Sequence, residues 1–371
     1  MLFSARTDAD SSPHTYVSDL LRQEAKFDLR HDADIPDAVS VNRLLSFIKH
    51  LWSETGEELD VNVFYRHRTL DDLGLAISNH EDLSVLPKII ELRGGEGTAP
   101  LLLFAGGASC FLEMQQLIKE IRFSGPILGV TLTAFNRDRH HSARVEDEVQ
   151  STLKALQVAG IGEPYRLLGY SFGGVFALEL ARALRAQGQK ITFLGMLDTP
   201  LGEQEWPLMT WSRFMWQRWR KARTRKKNLR KTDAQPRRQA STQAGGSVIG
   251  RRELLAKKLK PLSFRYADPH SAYYPELAPQ WMGDYPPRYD AAARQLLCMK
   301  GLYKPSCYDG ELTFYRSLQG SPVDCDPKTI WGRFLTHANW VDVAGNHQSM
   351  IVGRNAGTLA CDLSARLSPS A

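Results

Sequence analysis

Ser171 lies in Gly169-Tyr170-Ser171-Phe172-Gly173-Gly174, a G-x-S-x-G pattern with an apolar run before it and an amphipathic stretch after it. A nucleophilic hydroxyl needs this context: a very tight strand-to-helix turn that lifts the side chain over the edge of a sheet. Gly169 and Gly173 supply the missing side chains where the helix backbone crosses close to the strand, and Gly174 allows close packing of the helix start. The helix N-terminus places partial positive charge beside a developing oxyanion. A serine is activated by a general base, and the base is oriented by an acid. His347 fits the base. It follows the apolar run Trp340–Val343 and a Gly345-Asn346 turn, late in the chain. Among the other histidines, His337 is expected at a helix end and His270 in an insertion. Two places suit the acid: Asp198, directly after the run Ile191–Leu197, and Asp324 or Asp326, in the loop after the next strand. An oxyanion hole requires the backbone N–H of Phe172 and a second one from an earlier loop. Phe104-Ala105-Gly106-Gly107-Ala108-Ser109 is that loop, with Gly107 the first choice and Gly106 or Ala108 the alternatives.

The elements that must position these groups are legible as an alternation. Leu101–Ala105, Pro126–Leu132, Tyr165–Gly169 and Lys190–Leu197 read as strands, and Phe111–Ile121, Val145–Leu156 and Gly173–Gln187 as helices. Such an alternation predicts a mostly parallel sheet with helices on both faces. It breaks over 200–300, where a Trp-rich stretch, a basic run, a Gln/Ser/Thr/Gly tract and a Pro/Tyr-rich tract replace it, and resumes at Glu311–Arg316, Trp340–Val343 and a helix near 356–366. A long insertion of this kind between sheet strands reads as a lid. Residues 36–80 read as two short helical patterns, and 1–35 as a polar segment.

Bulk properties narrow the class. The net charge of +6 is local: ten Lys or Arg and no acid lie between Arg213 and Lys231, and without them the remainder carries −4. That argues against nucleic acid as a partner, since a reader of nucleic acid spreads basic and stacking groups over a folded face. The acidic, polar start lacks a secretory pattern, and no apolar run approaches the roughly 20 residues that span a bilayer. Cys110, Cys298, Cys307, Cys325 and Cys361 are odd in number and show no C-x-x-C spacing, so neither a disulfide framework nor a metal site is expected. A cytoplasmic location follows as the default, and no cofactor is implied.

In combination these motifs resemble the thioesterase domains that end nonribosomal peptide and polyketide synthases, members of the α/β-hydrolase superfamily. The resemblance rests on Gly169–Gly174 with Ala177, Glu179 and Ala181, on Leu194-Gly195-Met196-Leu197-Asp198-Thr199, on Tyr303-x-Pro305-x-x-Tyr308-x-Gly310, on Trp331, and on Gly345-Asn346-His347-x-x-Met350. It covers about residues 88–365, within a domain expected over 87–368. It implies an α/β-hydrolase fold and release of an acyl, peptidyl or polyketide chain from a phosphopantetheine-bearing carrier protein or synthase, through an acyl-serine intermediate. It also implies Asp198 as the acid, because the family places that residue after the strand that follows the elbow helix. The family's first loop often carries His-Pro before its glycines, where this chain has Phe104-Ala105. Asp37–Leu45, Gly56-x-x-Leu59, Phe64-Tyr65 and Thr69-Leu70-x-x-Leu73 resemble the second half of a carrier protein. Ala38 stands where the family has its modified serine, with Ser40 two positions away. The segment is therefore either a degenerate carrier or an unrelated helical extension.

Trp211, Phe214, Met215 and Trp219 fall on one helix face, with the basic run beginning opposite. The expectation is a lid helix whose aromatic face closes over an acyl chamber, with docking to an acidic carrier or contact with anionic membrane as further roles. Two other functions remain open: a lipid or small-ester hydrolase with an interfacial lid, and a non-catalytic carrier-binding scaffold. With Ala38 at the modification position, a phosphopantetheinyl transferase is expected to add no mass to this chain by intact mass spectrometry. A gain of one phosphopantetheine at Ser40 would identify a working carrier.

Overall fold

A computed structural model describes residues 19–23, 30, 32–56, 58–97, 99–107, 109–132, 143–232, 286–319 and 326–368. Seven strands form one sheet in the order β1-β3-β2-β4-β5-β6-β7. They are β1 (Ile89–Arg93), β2 (Leu101–Phe104), β3 (Ile127–Val130), β4 (Tyr165–Tyr170), β5 (Ile191–Leu197), β6 (Tyr308–Ser317) and β7 (Leu335–Val343). Only the β1–β3 pair is antiparallel. The architecture is the expected α/β-hydrolase fold.

The central strands read as unbroken apolar runs because both faces of the sheet are covered. Successive side chains of β2 alternate between two cores: Leu101 and Leu103 join one, Leu102 and Phe104 the other. The first core is closed by α5 (Gln115–Glu120) and α11 (Gly353–Leu367). The second is closed by α6 (Val145–Val158), α7 (Gly173–Ala186) and α8 (Leu208–Thr232), while α9 (Pro287–Leu302) reaches both, with Tyr289, Ala292 and Ala293 in the first core and Leu296 and Met299 in the second. α7 ends at a left-handed Gly188, φ 76°, a position that favours glycine. Among the described residues no helix is long and apolar enough to cross a membrane.

Several boundaries differ from the sequence expectation, for identifiable reasons. β1 has no counterpart in the reading because it is a five-residue edge strand with only two buried positions. His337 lies inside β7, paired with Glu311, and not at a helix end. β7 is an edge strand, mostly exposed between its buried ends, so its apolar signal is confined to the last residues. Phe111–Met114 forms a 3₁₀ turn before α5. Residues 36–80 hold more order than two short patterns: α1 (Ile35–Ala38), the fifteen-residue α2 (Val41–Thr55), α3 (Val63–Arg66) and α4 (Leu70–Ser78). Ala38 closes α1, whereas Ser40 is exposed and stands at the N-cap of α2. These helices share the first core with the sheet; Leu44, Phe47, Val63, Phe64 and Leu73 are fully buried there. Leu21, in the segment read as polar, is also fully buried.

The insertion begins with Trp206, which packs edge-on against Phe214 at 5.2 Å. Trp211 and Phe214 are buried, as the helix-face reading requires, but Trp219 is half exposed and the guanidinium of Arg223 covers its ring at 3.8 Å. Trp216 is likewise exposed, with Arg220 at 4.8 Å. The apolar stripe is thus buried at Trp211 and Phe214 and exposed by Trp219. Residues 233–285, which include the Gln/Ser/Thr/Gly tract, most of the Pro/Tyr tract and His270, lie outside the described residues, as do Ala108 and Asp324.

Candidate active site

The carboxyl ends of five neighbouring strands converge on one edge. β2 runs into Gly106–Ser109, β4 into Ser171, β5 into Asp198, β6 ends at Ser317, and β7 leads to His347. Ser171 takes φ 52° and Asp198 φ 44°, left-handed conformations that L-residues seldom adopt and that cost about 1–3 kcal/mol each. Both are held by ladder bonds to the next strand: Ser171 N–H donates to Leu197 O (2.8 Å) and Asp198 N–H to Tyr315 O (2.7 Å).

The sharp turn at Ser171 depends on the glycines around it. A Cβ at Gly169 would lie 2.4 Å from Gly173 O, one at Gly173 would lie 2.3 Å from Phe104 O, and one at Gly174 would overlap Thr199 Oγ1 at 1.8 Å. The first two are backbone atoms that cannot step aside. Gly106 is constrained from the other side, since its Cβ would meet Ser171 Cβ at 2.9 Å.

Ser171, Asp198 and His347, named separately from sequence, come together. His347 Nε2 lies 3.0 Å from Ser171 Oγ, and His347 Nδ1 lies 2.8 Å from Asp198 Oδ2. Asp198 is 1% exposed and Ser171 8%. Asp326 stands elsewhere. It caps α10 (Pro327–Trp331), accepting from Lys328 N and Thr329 Oγ1, and pairs with Arg316 at 2.9 Å. Gly107 is exposed at the tip of its turn and has open space where a Cβ would stand, while Ser109 N–H donates to Gly106 O (2.8 Å) to close that turn. Phe172 stands at the N-cap of α7, with its ring edge-on to Phe176.

Four further groups escaped the sequence reading. Ser317 Oγ donates to Asp198 Oδ2 (3.0 Å), and its N–H lies 3.3 Å from Oδ1, so the buried carboxylate is held on both oxygens. Tyr170 stacks on the His347 ring at 5.0 Å and donates its hydroxyl to His347 O (2.9 Å). Asn346 Oδ1 accepts from Ser349 N while Ser349 Oγ accepts from Asn346 N, a reciprocal pair that shapes the histidine loop. The Asn-x-x-Ser spacing was a readable signal for it. Glu113 accepts from Tyr289 Oη at 2.6 Å, across 176 residues of chain. Burial pushes the Glu113 carboxyl above its ordinary range, opposed by the Tyr289 bond and the nearby His347.

Residues 101–235 match the family model of the thioesterase domain. Vanchrobactin synthetase VabF of Vibrio anguillarum is 34% identical over 130 residues, covering 34% of this chain and 4% of that protein. Enterobactin synthase component F of Escherichia coli (strain K12) is 34% identical over 120 residues, covering 32% of this chain and 9% of that protein. The chain therefore spans less than a tenth of the length of these two relatives. Among solved structures, the four-domain nonribosomal peptide synthetase holo-AB3403, bound to AMP and glycine, aligns over 99% of this chain and 27% of its own, with TM-score 0.52 and 18% identity, a likeness of fold. The thioesterase-domain resemblance is thus shown over the stretch that carries Ser171 and Asp198.

A carboxyl whose folded pKa is raised stabilises the fold below its unfolded pKa, near 4.3, and that contribution is lost as pH rises through the folded value. Glu113→Gln should therefore raise the melting temperature relative to wild type more at pH 8 than at pH 4.5, by roughly 1–3 °C. Thermal melts at the two pH values check this; an equal difference at both contradicts it.

Proposed function

We propose that this chain is a thioesterase that releases an acyl, peptidyl or polyketide chain from a carrier-protein thioester through an acyl-serine intermediate. The observation that carries the reading is the hydrogen-bonded line Asp198–His347–Ser171 at the carboxyl edge of the sheet. His347 Nε2 accepts the proton of Ser171 as Oγ forms a bond to the thioester carbonyl carbon. Backbone N–H groups of Phe172 and Gly107 hold the oxyanion. The tetrahedral centre collapses, the C–S bond breaks, and the proton on His347 passes to the departing thiolate. Water, or an amine or hydroxyl of the acyl chain, then attacks the acyl-Ser171 with His347 again as base. Asp198, held by Ser317, keeps Nδ1 protonated and stabilises the imidazolium.

The partner is a phosphopantetheine-bearing carrier or synthase. The exposed Trp216 and Trp219 with their stacked arginines support docking of an acidic protein surface on α8. The same features support a second reading, an interfacial lid on anionic lipid in a lipid or small-ester hydrolase. The helical segment 36–80 is a degenerate carrier-like unit in this reading.

Ser171→Ala should abolish fluorophosphonate labelling and lower thioester turnover roughly a thousandfold or more. Asp198→Asn should cost on the order of a thousandfold by misorienting His347, whereas Asp326→Asn should leave kcat within about twofold. Labelling of the Ser171→Ala variant, or the reverse ranking of the two aspartates, contradicts the assignment. For the partner, reversal of Arg223, Arg225, Lys226 and Lys227 to Glu should raise KM for carrier-bound acyl groups. It should leave a small uncharged thioester unaffected, and salt should weaken wild type more than the variant. Unchanged kinetics with lost binding to anionic vesicles would favour the lipid reading.

A further inference from the structure

The Gly106–Ser109 turn packs against Ser171, yet part of what holds it comes from outside the hydrolase sheet. Asn62, at the start of α3, is buried at 2% exposure. Its Nδ2 donates to Ser109 O at 2.7 Å, and its Oδ1 accepts from Phe111 N–H at 2.8 Å. The two bonds straddle Cys110, so a single amide fixes both sides of that link. Ser109 takes φ 54°, a left-handed conformation that needs such support.

The amide is itself held. Asp60 Oδ1 accepts from Asn62 N (2.9 Å) and from Asn62 Nδ2 (3.2 Å). Asp60 in turn faces Arg288 Nε at 3.6 Å, at the start of α9, where the chain returns from the insertion. These partners set the orientation of Asn62. Turned over, its oxygen would face Ser109 O and the Asp60 carboxylate, and its NH₂ would face an N–H. The short turn thus joins three parts of the molecule: the helical segment, the loop beside the nucleophile and the helix that follows the insertion.

We infer that Asn62 is a positioning residue for acyl transfer. By clamping Ser109 and Phe111 it holds the turn that carries Gly107, whose neighbour Gly106 packs against Ser171, so the helices of residues 35–78 are part of the catalytic unit and do not swing free of it. The inference rests on the reading of Gly107 as an oxyanion donor. Loss of Asn62 leaves two buried backbone groups without a partner and lets the turn relax. A displaced oxyanion donor acts on the transition state far more than on substrate binding.

The test uses the full chain with three variants. Asn62→Ala removes both bonds. Asn62→Asp is isosteric and keeps the acceptor for Phe111, but sets oxygen against Ser109 O and Asp60. Leu73→Ala, in α4, removes a buried side chain of the same helical segment and leaves the bonds of Asn62 intact. Both Asn62 variants should lower kcat for an acyl thioester by roughly 10–100-fold, with KM changed by less than about threefold, and should slow fluorophosphonate labelling of Ser171 in parallel. Amide hydrogen exchange over residues 105–112 should quicken in Asn62→Ala. Leu73→Ala should lower the melting temperature but keep kcat within about twofold, measured well below its melt. Equal loss of kcat in Leu73→Ala and Asn62→Ala at equal loss of melting temperature overturns the inference, as does unchanged exchange over 105–112. A wild type that neither turns over acyl thioesters nor takes the label overturns the Ser171 reading. An active, labelled wild type with an unaffected Asn62→Ala overturns the clamp alone.

Discussion

At Ser171 the chain must leave a buried strand and enter a helix within one residue, with the hydroxyl still raised over the sheet edge. The left-handed backbone there, φ 52°, meets that demand, and much of the surrounding structure follows from it. β4 and α7 approach so closely that side chains at Gly169 and Gly173 would strike main chain, one of α7 and the other of β2. β2 must therefore lie beside β4, and the loop that leaves β2 then falls next to Ser171. Gly106 completes the packing, since its own Cβ would press on Ser171. A strain of this kind persists only where neighbouring packing over-determines it. Here the two cores on either side of the sheet supply that rigidity.

Asp198 repeats the device one strand further on. A second left-handed residue directs a carboxylate at the edge of the sheet and away from solvent, where an unpaired charge would be expensive. Ser317 and the His347 ring satisfy it. The ring is pinned in turn by Tyr170, which stacks on its face and bonds the backbone carbonyl of the same residue. One strand end thus contributes both Ser171 and a support for the His347 ring.

The helical segment and the described ends of the insertion close around this edge. The insertion enters through Trp206, Trp211 and Phe214, which are buried, and continues as a helix whose later tryptophans are exposed beneath arginines. It returns through α9, where Tyr289 reaches Glu113 and Arg288 reaches Asp60. Glu113 lies just beyond the Gly106–Ser109 turn, and Asn62 bonds directly to it, so the helical segment and the insertion meet over the same loop.

Local features of the sequence determined a great deal. Short-range periodicity and glycine spacing identify β4, α7 and β5, because a parallel strand buried on both faces is continuously apolar and a nucleophile turn tolerates few residue types. Ser171 and His347 were readable for the same reason, as residues attached to recognisable strand ends. Asp198, placed first by its position at the strand end, was set further above Asp326 by the family resemblance, since an aspartate after a strand looks alike whether it caps a helix or orients a histidine. Tertiary structure alone sets Asp198 against His347 and Asp326 against Arg316. It also sets the contacts of Ser317, Tyr170, Glu113 and Asn62, which span 119, 177, 176 and 47 residues of chain. The physical reason is that a hydrogen bond depends on distance and direction in space. A pattern along the chain records which residues can turn, bury or bond, but not which strand end or helix start will be brought within 3 Å of them.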